Sequence, residues 1–325
     1  MALLEVDDLH VSFRTADGVL NAVRGLSFAV EEGKTLGIVG ESGSGKSVST
    51  QTIMGLTRGA RIRGHAMFEG RDLLTMNANQ LQDVRGSQIG MIFQDPLSSL
   101  HPYYRVGWQI VEMIRAHDKS MNKARARARA AELLRLVGIP RPERRIDDFP
   151  HQFSGGMRQR AMIAMAVALN PKLVIADEPT TALDVTVQAQ VLQVLKRLQE
   201  EFGTAIIMIT HDLGVIADVA DDVVVMYAGK AMEKADRNTL FYRNHNPYTE
   251  GLLLSLPALG EERQRLHPIP GQPPSLIALP PGCAFQPRCA EAIARCATTT
   301  PSLTPLRLDE PHRSACWLTA ELVTS

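Results

Sequence analysis

The stretch Gly40-Glu41-Ser42-Gly43-Ser44-Gly45-Lys46-Ser47 decides the fold of this chain. It fits the spacing G-x-x-x-x-G-K-S/T. An apolar run, Thr35–Val39, leads into it, and Val48–Met54 behind it has the composition of a short helix. Glycines let a backbone curl until successive N–H groups converge on one point. A helix that starts where the loop ends adds the positive end of its dipole. Lys46 then places a charge on the β- and γ-phosphates of a nucleoside triphosphate, and the Ser47 hydroxyl can ligate Mg²⁺. The plain alternative is a Gly/Ser-rich turn with an exposed lysine. The strand before and the helix after argue against it.

Working outward, further apolar runs lie at Leu36–Val39, Ile89–Phe93, Leu173–Ala176, Ala205–Ile209 and Val223–Tyr227, with helix-compatible stretches between them. This alternation predicts an α/β domain with a mostly parallel sheet covered by helices. The run Lys172-Leu173-Val174-Ile175-Ala176-Asp177-Glu178-Pro179 ends a buried strand in two carboxylates, which packing does not call for. Asp177 is placed to reach Mg²⁺ through water, and Glu178 to polarise an attacking water. Residues 98–153 interrupt the alternation with a helical insertion. Within it, Ala124–Val137 carries Arg125, Arg127 and Arg129, then Leu133, Leu134, Leu136 and Val137, and Gly138-Ile139-Pro140 stops the helix. The arginine run reads as a solvated face. After residue 255, prolines at 257, 268, 270, 273, 274, 280, 281 and 287 forbid long helices and central strands, so a loop-rich extension is expected.

Composition narrows the classes. The 325 residues suffice for one large domain and an appendage, and 45% hydrophobic with 22% charged residues is ordinary for a globular chain. Lys plus Arg equals Asp plus Glu at 35 each, so no bulk field draws the chain to nucleic acid or anionic lipid. Apolar runs such as Ala161–Leu169 fall well short of the roughly 20 residues that span a bilayer. The start, Met1-Ala2-Leu3-Leu4-Glu5, has no basic segment before an apolar one, so a cytoplasmic location is expected. There are four cysteines, Cys283, Cys289, Cys296 and Cys316. Disulfides are rare in that compartment. The spacing lacks the close Cys pair of most zinc sites, and four thiolates can also hold an iron–sulfur cluster.

Between the two phosphate-directed elements stands Phe153-Ser154-Gly155-Gly156-Met157-Arg158-Gln159-Arg160. It resembles the signature motif of ATP-binding cassette (ABC) ATPases, whose general form has Gln where this chain has Met157. Gln94 in Ile92-Phe93-Gln94-Asp95-Pro96 resembles the Q-loop. Thr181-Ala182-Leu183-Asp184 resembles the D-loop, although many members begin it with Ser. His211 in Ile209-Thr210-His211-Asp212 is similar to the switch histidine, and Phe13 stands where the family places an aromatic ring under adenine. The resemblance covers residues 1–255. It implies a P-loop NTPase of RecA-like core with an antiparallel β subdomain and a helical subdomain at about 98–153, followed by the extension 256–325. It further implies an ATP site of Phe13, Gly40, Ser42, Gly43, Ser44, Gly45, Lys46, Ser47 and Val48. Gln94, Glu178 and His211 would be catalytic, and Mg²⁺ would be held through Ser47, Gln94 and Asp177. Ser154, Gly155 and Gly156 would face the γ-phosphate held by another subunit, with Asp184 contacting that subunit.

The segment Pro280-Pro281-Gly282-Cys283-Ala284-Phe285-Gln286-Pro287-Arg288-Cys289 resembles the C-terminal extension of oligopeptide and dipeptide importer ATPases, some of which bind a 4Fe-4S cluster through four cysteines. Asn246-Pro247-Tyr248-Thr249, His267-Pro268-Ile269-Pro270-Gly271, and Gly45-Lys46-Ser47-Val48 with Ile53-Met54-Gly55-Leu56 are similar to the same branch, the last pair to its D-type subunit. The implied function is the ATP-hydrolysing motor of a peptide importer. A nickel or other small-solute importer of the branch is the alternative. Implied cofactors are ATP, Mg²⁺ and the cluster, the last in a structural role. Implied partners are a paralogous ATPase (or a second copy), two membrane permeases gripped by the helical subdomain, and an external solute-binding protein, with no nucleic acid. The location implied is the cytoplasmic face of the membrane. An exporter half would carry fused membrane helices, a DNA-repair relative a long heptad insertion, and a translation-factor relative a second cassette.

Overall fold

In the computed structural model, residues 2–95, 99–180, 183–255, 268–307 and 311–320 are described. The chain divides into two compact units.

The first unit comprises Glu31–Lys34 and Met76–Ile209. Its strands Ile89–Ile92, Leu173–Asp177 and Ala205–Ile209 pair in parallel in that order, with Ile89 opposite Leu173 and Asp177 opposite Ile209. Every residue of Leu173–Asp177 and of Ala205–Ile209 is buried. Strands covered on both faces have no reason to alternate, which is why they read as unbroken apolar runs. The expected insertion contains the helices Val106–His117 and Lys123–Leu136. The second starts at Asn122, whose side chain accepts from the Arg125 N–H, a standard way to satisfy an unpaired first-turn donor. Ala126, Ala130, Leu133 and Leu134 form its buried stripe. The arginine row is less free than its sequence suggests. Arg127 forks onto Asp147 at 3.0 and 2.7 Å, and Arg129 donates to the Asn170 side chain.

The helix Gly155–Ala166 follows, and Val185–Phe202 runs from an Asp184 cap to Gly203. Gln159, 2% exposed, donates from Nε2 to the Pro179 carbonyl at 2.7 Å. That bond ties the first of these helices to the turn after Asp177 and Glu178.

The second unit comprises Ala2–Val30, Thr35–Thr75 and Thr210–Ser325. One sheet has the order Gly18–Glu31, Ala2–Thr15, Ala60–Phe68, Arg71–Asp72. Ala2–Thr15 and Ala60–Phe68 are antiparallel, with Leu4 opposite Phe68 and Phe13 opposite Ala60. In the other sheet Thr35–Val39 is parallel to Asp222–Tyr227, which turns back on Lys230–Asp236. The C-terminal residues then extend this sheet. Arg313–Ser314 pairs antiparallel with Lys230–Asp236, and Thr304–Pro305 with Arg313–Ser314. Loops were expected after residue 255; among the described residues 268–307 and 311–320 the chain also supplies these two short strands. Pro305 is tolerated because it lies on the outermost one. At the junction Glu233 is fully buried. It accepts from the His245 N–H and meets His312 Nε2 at 2.8 Å.

No helix among the described residues is long and apolar enough to cross a membrane.

Candidate active site

In the second unit, the loop 40–47 leaves the buried strand Thr35–Val39 and enters the helix Lys46–Ile53. Its curl depends on two glycines. Gly40 has φ +146°, and a Cβ there would lie 2.1 Å from the Met226 carbonyl oxygen. Gly45 has φ +101°, and a Cβ would lie 2.3 Å from the Ala22 oxygen. Both conformation and space therefore exclude a side chain. A Cβ at Gly43 would meet nothing within 4 Å, so this side of the loop is open.

Lys46 is 5% exposed, and its ammonium donates to the carbonyls of Gly40 at 2.6 Å and Glu41 at 3.0 Å. Ser44 is buried, and its Oγ has no hydrogen-bond partner among the described residues. Buried hydroxyls are nearly always paired. An ammonium resting on carbonyl oxygens, an orphaned hydroxyl and a helix start fit a polyphosphate, whose oxygens would replace the carbonyls and satisfy Ser44. Ser42 and Gly43 lie at the exposed rim, and Val48 in the first turn of the helix. Phe13 is half-buried on its strand.

In the first unit, Asp177 is 2% exposed at the end of Leu173–Asp177. Glu178 follows in the left-handed region, φ +49°, its N–H bonded to the Ile209 carbonyl at 2.8 Å. A glutamate there is strained, and such strain collects at functional sites. The turn aims the carboxylate at Gln94, whose Nε2 donates to Glu178 Oε2 at 2.9 Å. Two predicted catalytic side chains thus meet although 84 residues separate them. His211, in the second unit, is exposed beside Thr210, whose hydroxyl accepts from the Asp212 N–H.

Ser154 caps Gly155–Ala166 by accepting from the Met157 N–H at 3.3 Å. Ser154 and Gly155 are exposed, and a Cβ at Gly155 would meet nothing within 4 Å among the described residues. Gly156 faces Val187, at 3.1 Å from a built Cβ. The helix start is therefore open to a ligand from outside. Asp184 accepts from the Val187 N–H at 2.9 Å, capping Val185–Phe202. Thr181 and Ala182, and Pro96 after the Gln94 turn, lie outside the described residues.

The family described as ABC transporter matches residues 23–181, and that described as oligopeptide/dipeptide transporter, C-terminal region, matches residues 232–296. The oligopeptide transport ATP-binding protein OppD of Bacillus subtilis is 52% identical, covering 97% of this chain and 88% of its own. OppD of Escherichia coli is also 52% identical, over 94% of this chain and 92% of its own. The chain belongs to the ABC ATPase family, in its oligopeptide/dipeptide transporter branch. The dipeptide transport ATP-binding protein DppD of Bacillus subtilis is 49% identical to this ABC ATPase, over 97% of this chain and 94% of its own. Among solved structures, the dimeric post-hydrolysis state of the ATP-binding cassette MJ0796, bound to ADP and Pi, superposes with a TM-score of 0.66 at 26% identity. It covers 72% of this chain and 98% of its own.

The cysteines of the ABC ATPase give a divided result. Cys283, Cys289, Cys296 and Cys316 line one cavity of about 20 Å³, together with Phe285 and Trp317. That is room for one water-sized body. Among the described residues no group of three or more His, Cys, Asp or Glu side chains is disposed to hold a metal ion. The residues fit an iron–sulfur cluster in kind and number, and not in spacing. Burial also pushes the Cys283, Cys289 and Cys316 thiols up, away from the thiolate form that ligation needs.

Two contacts to the phosphate loop have no sequence signature. The Glu41 N–H donates to Tyr248 Oη at 3.0 Å, and the Glu41 carboxylate pairs with Arg288.

Proposed function

We propose that this ABC ATPase is the motor subunit of an importer that drives uptake of di- and oligopeptides through a separate permease pair. The phosphate-loop geometry carries the ATPase reading: Lys46 resting on backbone carbonyls beside the orphaned Ser44 hydroxyl. The C-terminal match at residues 232–296 and the two OppD relatives support the peptide reading.

The residue roles follow from chemistry. Backbone N–H groups of Gly40–Gly45 cradle the phosphates, with Ser42, Gly43 and Ser44 lining the cradle and Val48 in the helix behind it. Lys46 exchanges its carbonyl partners for phosphate oxygens. Phe13 stacks on the adenine. Ser47, Gln94 and Asp177 would hold Mg²⁺, which would supply charge neutralisation at the phosphates. Glu178, oriented by Gln94, accepts a hydrogen bond from the attacking water, and His211 keeps that water in line. Ser154, Gly155 and Gly156 serve the nucleotide of a partner subunit, and Asp184 contacts that subunit. We propose a paralogous ATPase as the partner, with two permeases and an external binding protein completing the assembly at the cytoplasmic face of the membrane. In domain terms the proposal assigns 1–255 to the nucleotide-binding domain, with its helical subdomain at about 98–153, and 256–325 to the extension. Cys283, Cys289, Cys296 and Cys316 enter it as the residues that would hold a structural 4Fe-4S cluster, whose binding would have to bring the four thiols into ligating spacing. Iron analysis of anaerobically purified protein tests that part, and colourless, iron-free protein of full activity removes it.

Lys46→Ala tests the central reading. The expected outcome is loss of ATP binding in an equilibrium titration of the purified chain, with the fold retained by circular dichroism. Unchanged affinity overturns the ATPase assignment. Peptide uptake by reconstituted vesicles tests the transport part.

A further inference from the structure

Among the described residues Arg288 is the buried arginine. It lies in the helical turn Gln286–Arg288, between Cys283 and Cys289, and its side chain is only 5% exposed. Every nitrogen of its guanidinium is engaged. Nη1 donates to Glu41 Oε2 at 2.6 Å and Nη2 to Glu41 Oε1 at 2.9 Å. Nη1 also reaches Tyr227 Oη at 3.2 Å, Nε donates to the Pro270 carbonyl at 2.8 Å, and Nη2 to that of Ile269 at 3.4 Å. The group lies 5.8 Å from the Tyr227 ring centroid and 6.0 Å from that of Phe285. Phe285 in turn meets Tyr227 and Tyr248 edge-on at 5.4 and 5.2 Å. The paired carboxylate holds the guanidinium proton more tightly than usual.

Its target is inside the phosphate loop. Glu41 follows Gly40, and its carbonyl is one of the two on which the Lys46 ammonium rests. Its N–H is held by Tyr248, which is fully buried. Glu41 is therefore fixed at side chain and N–H by residues far along the chain, while its carbonyl holds the lysine. A carboxylate in a loop that must accept a polyanion is a local repulsion. A bidentate guanidinium both cancels that charge and fixes the loop's shape.

We propose that Arg288 is a positioning residue for nucleotide binding: its clamp on Glu41 sets the charge and shape of the phosphate loop, and through them the affinity for ATP. The proposal rests on the reading of residues 40–47 as the ATP-binding loop. It makes the cysteine-bearing segment part of the nucleotide site's support.

The test is a double-mutant cycle of Glu41→Gln and Arg288→Gln on the full chain, with mant-ATP and Mg²⁺ as the probe and thermal melting as the fold control. Arg288→Gln is expected to weaken binding about tenfold in the parent, and less than about twofold in the Glu41→Gln background, because the clamp has one target. In the assembled transporter the loss should appear in KM for ATP, with kcat at saturating ATP kept within about twofold. Equal loss in both backgrounds, or none in the parent, overturns the proposal. Should Arg288→Gln not fold, Arg288→Lys keeps the charge and loses the fork. It is expected to weaken binding about threefold, with the same dependence on Glu41, and parent-like affinity overturns the proposal. Lys46→Ala, run alongside, separates this from failure of the ATP-site reading itself, which would show as unchanged affinity in that variant.

Discussion

At the scale of single residues, Glu178 joins an unfavourable backbone to a directed carboxylate. Its φ of +49° is held by the N–H bond to Ile209, and the side chain is then within reach of Gln94. Glu178→Gln keeps size and backbone demands and removes the proton acceptor. It is expected to leave ATP binding near the parent value and to lower kcat by about 10²–10⁴. A single-turnover assay in the assembled transporter checks this, and normal turnover would refute the role. The sequence singles out Glu178 and Gln94 because each lies in a local motif whose proposed chemistry demands particular side chains, and the structure brings the two together. It does not single out Arg288. Its partner is 247 residues away, and an arginine in a proline-rich stretch carries no spacing that names a carboxylate.

At the scale of elements, the helix starts carry much of the proposed chemistry. Asp184 illustrates the overlap of structure and function, since the carboxylate expected to meet a partner subunit also caps Val185–Phe202. Asn is as good a cap as Asp. Asp184→Asn is therefore expected to melt within about 0.5 °C of the parent, and Asp184→Ala about 2 °C lower, as loss of a cap costs about 1 kcal/mol. ATP-driven association, measured by light scattering, should fall in both if the charge is what the partner reads. Gln159→Leu isolates a different link. It orphans the buried Pro179 carbonyl, at a cost of about 1–3 kcal/mol read by denaturant unfolding. The central strands were readable as apolar runs because both faces are covered. The long strands Ala2–Thr15 and Gly18–Glu31 were not, as Glu5, Asp7, Asp8 and His10 interleave with Leu4, Val6, Leu9 and Val11 and a register shift follows Asp7. One-sided burial of that kind dilutes the signal.

At the scale of the whole molecule, the C-terminal residues are structural members of the unit that contains the phosphate loop. Arg313–Ser314 covers the edge of Lys230–Asp236, and His312 is the partner of the fully buried Glu233. Deleting residues after Ser255 should therefore leave a bare sheet edge and take from the Glu233 carboxylate its His312 partner. The expected product is aggregated or unfolded protein by size-exclusion chromatography and circular dichroism. A monodisperse truncation with the parent melting temperature would contradict this. Two-residue strands among prolines give no periodicity to read, which is why the sequence reads as loops there.

This covering also sets a schedule for biogenesis. Roughly 80 residues separate the strand Lys230–Asp236 from the segment that shields it, so at about 5–20 residues per second of translation its outer hydrogen bonds stay unmade for several seconds. During that interval each nascent chain presents neighbours with a ready template for sticking, and ribosome-associated chaperones have their clearest reason to attend to this polypeptide.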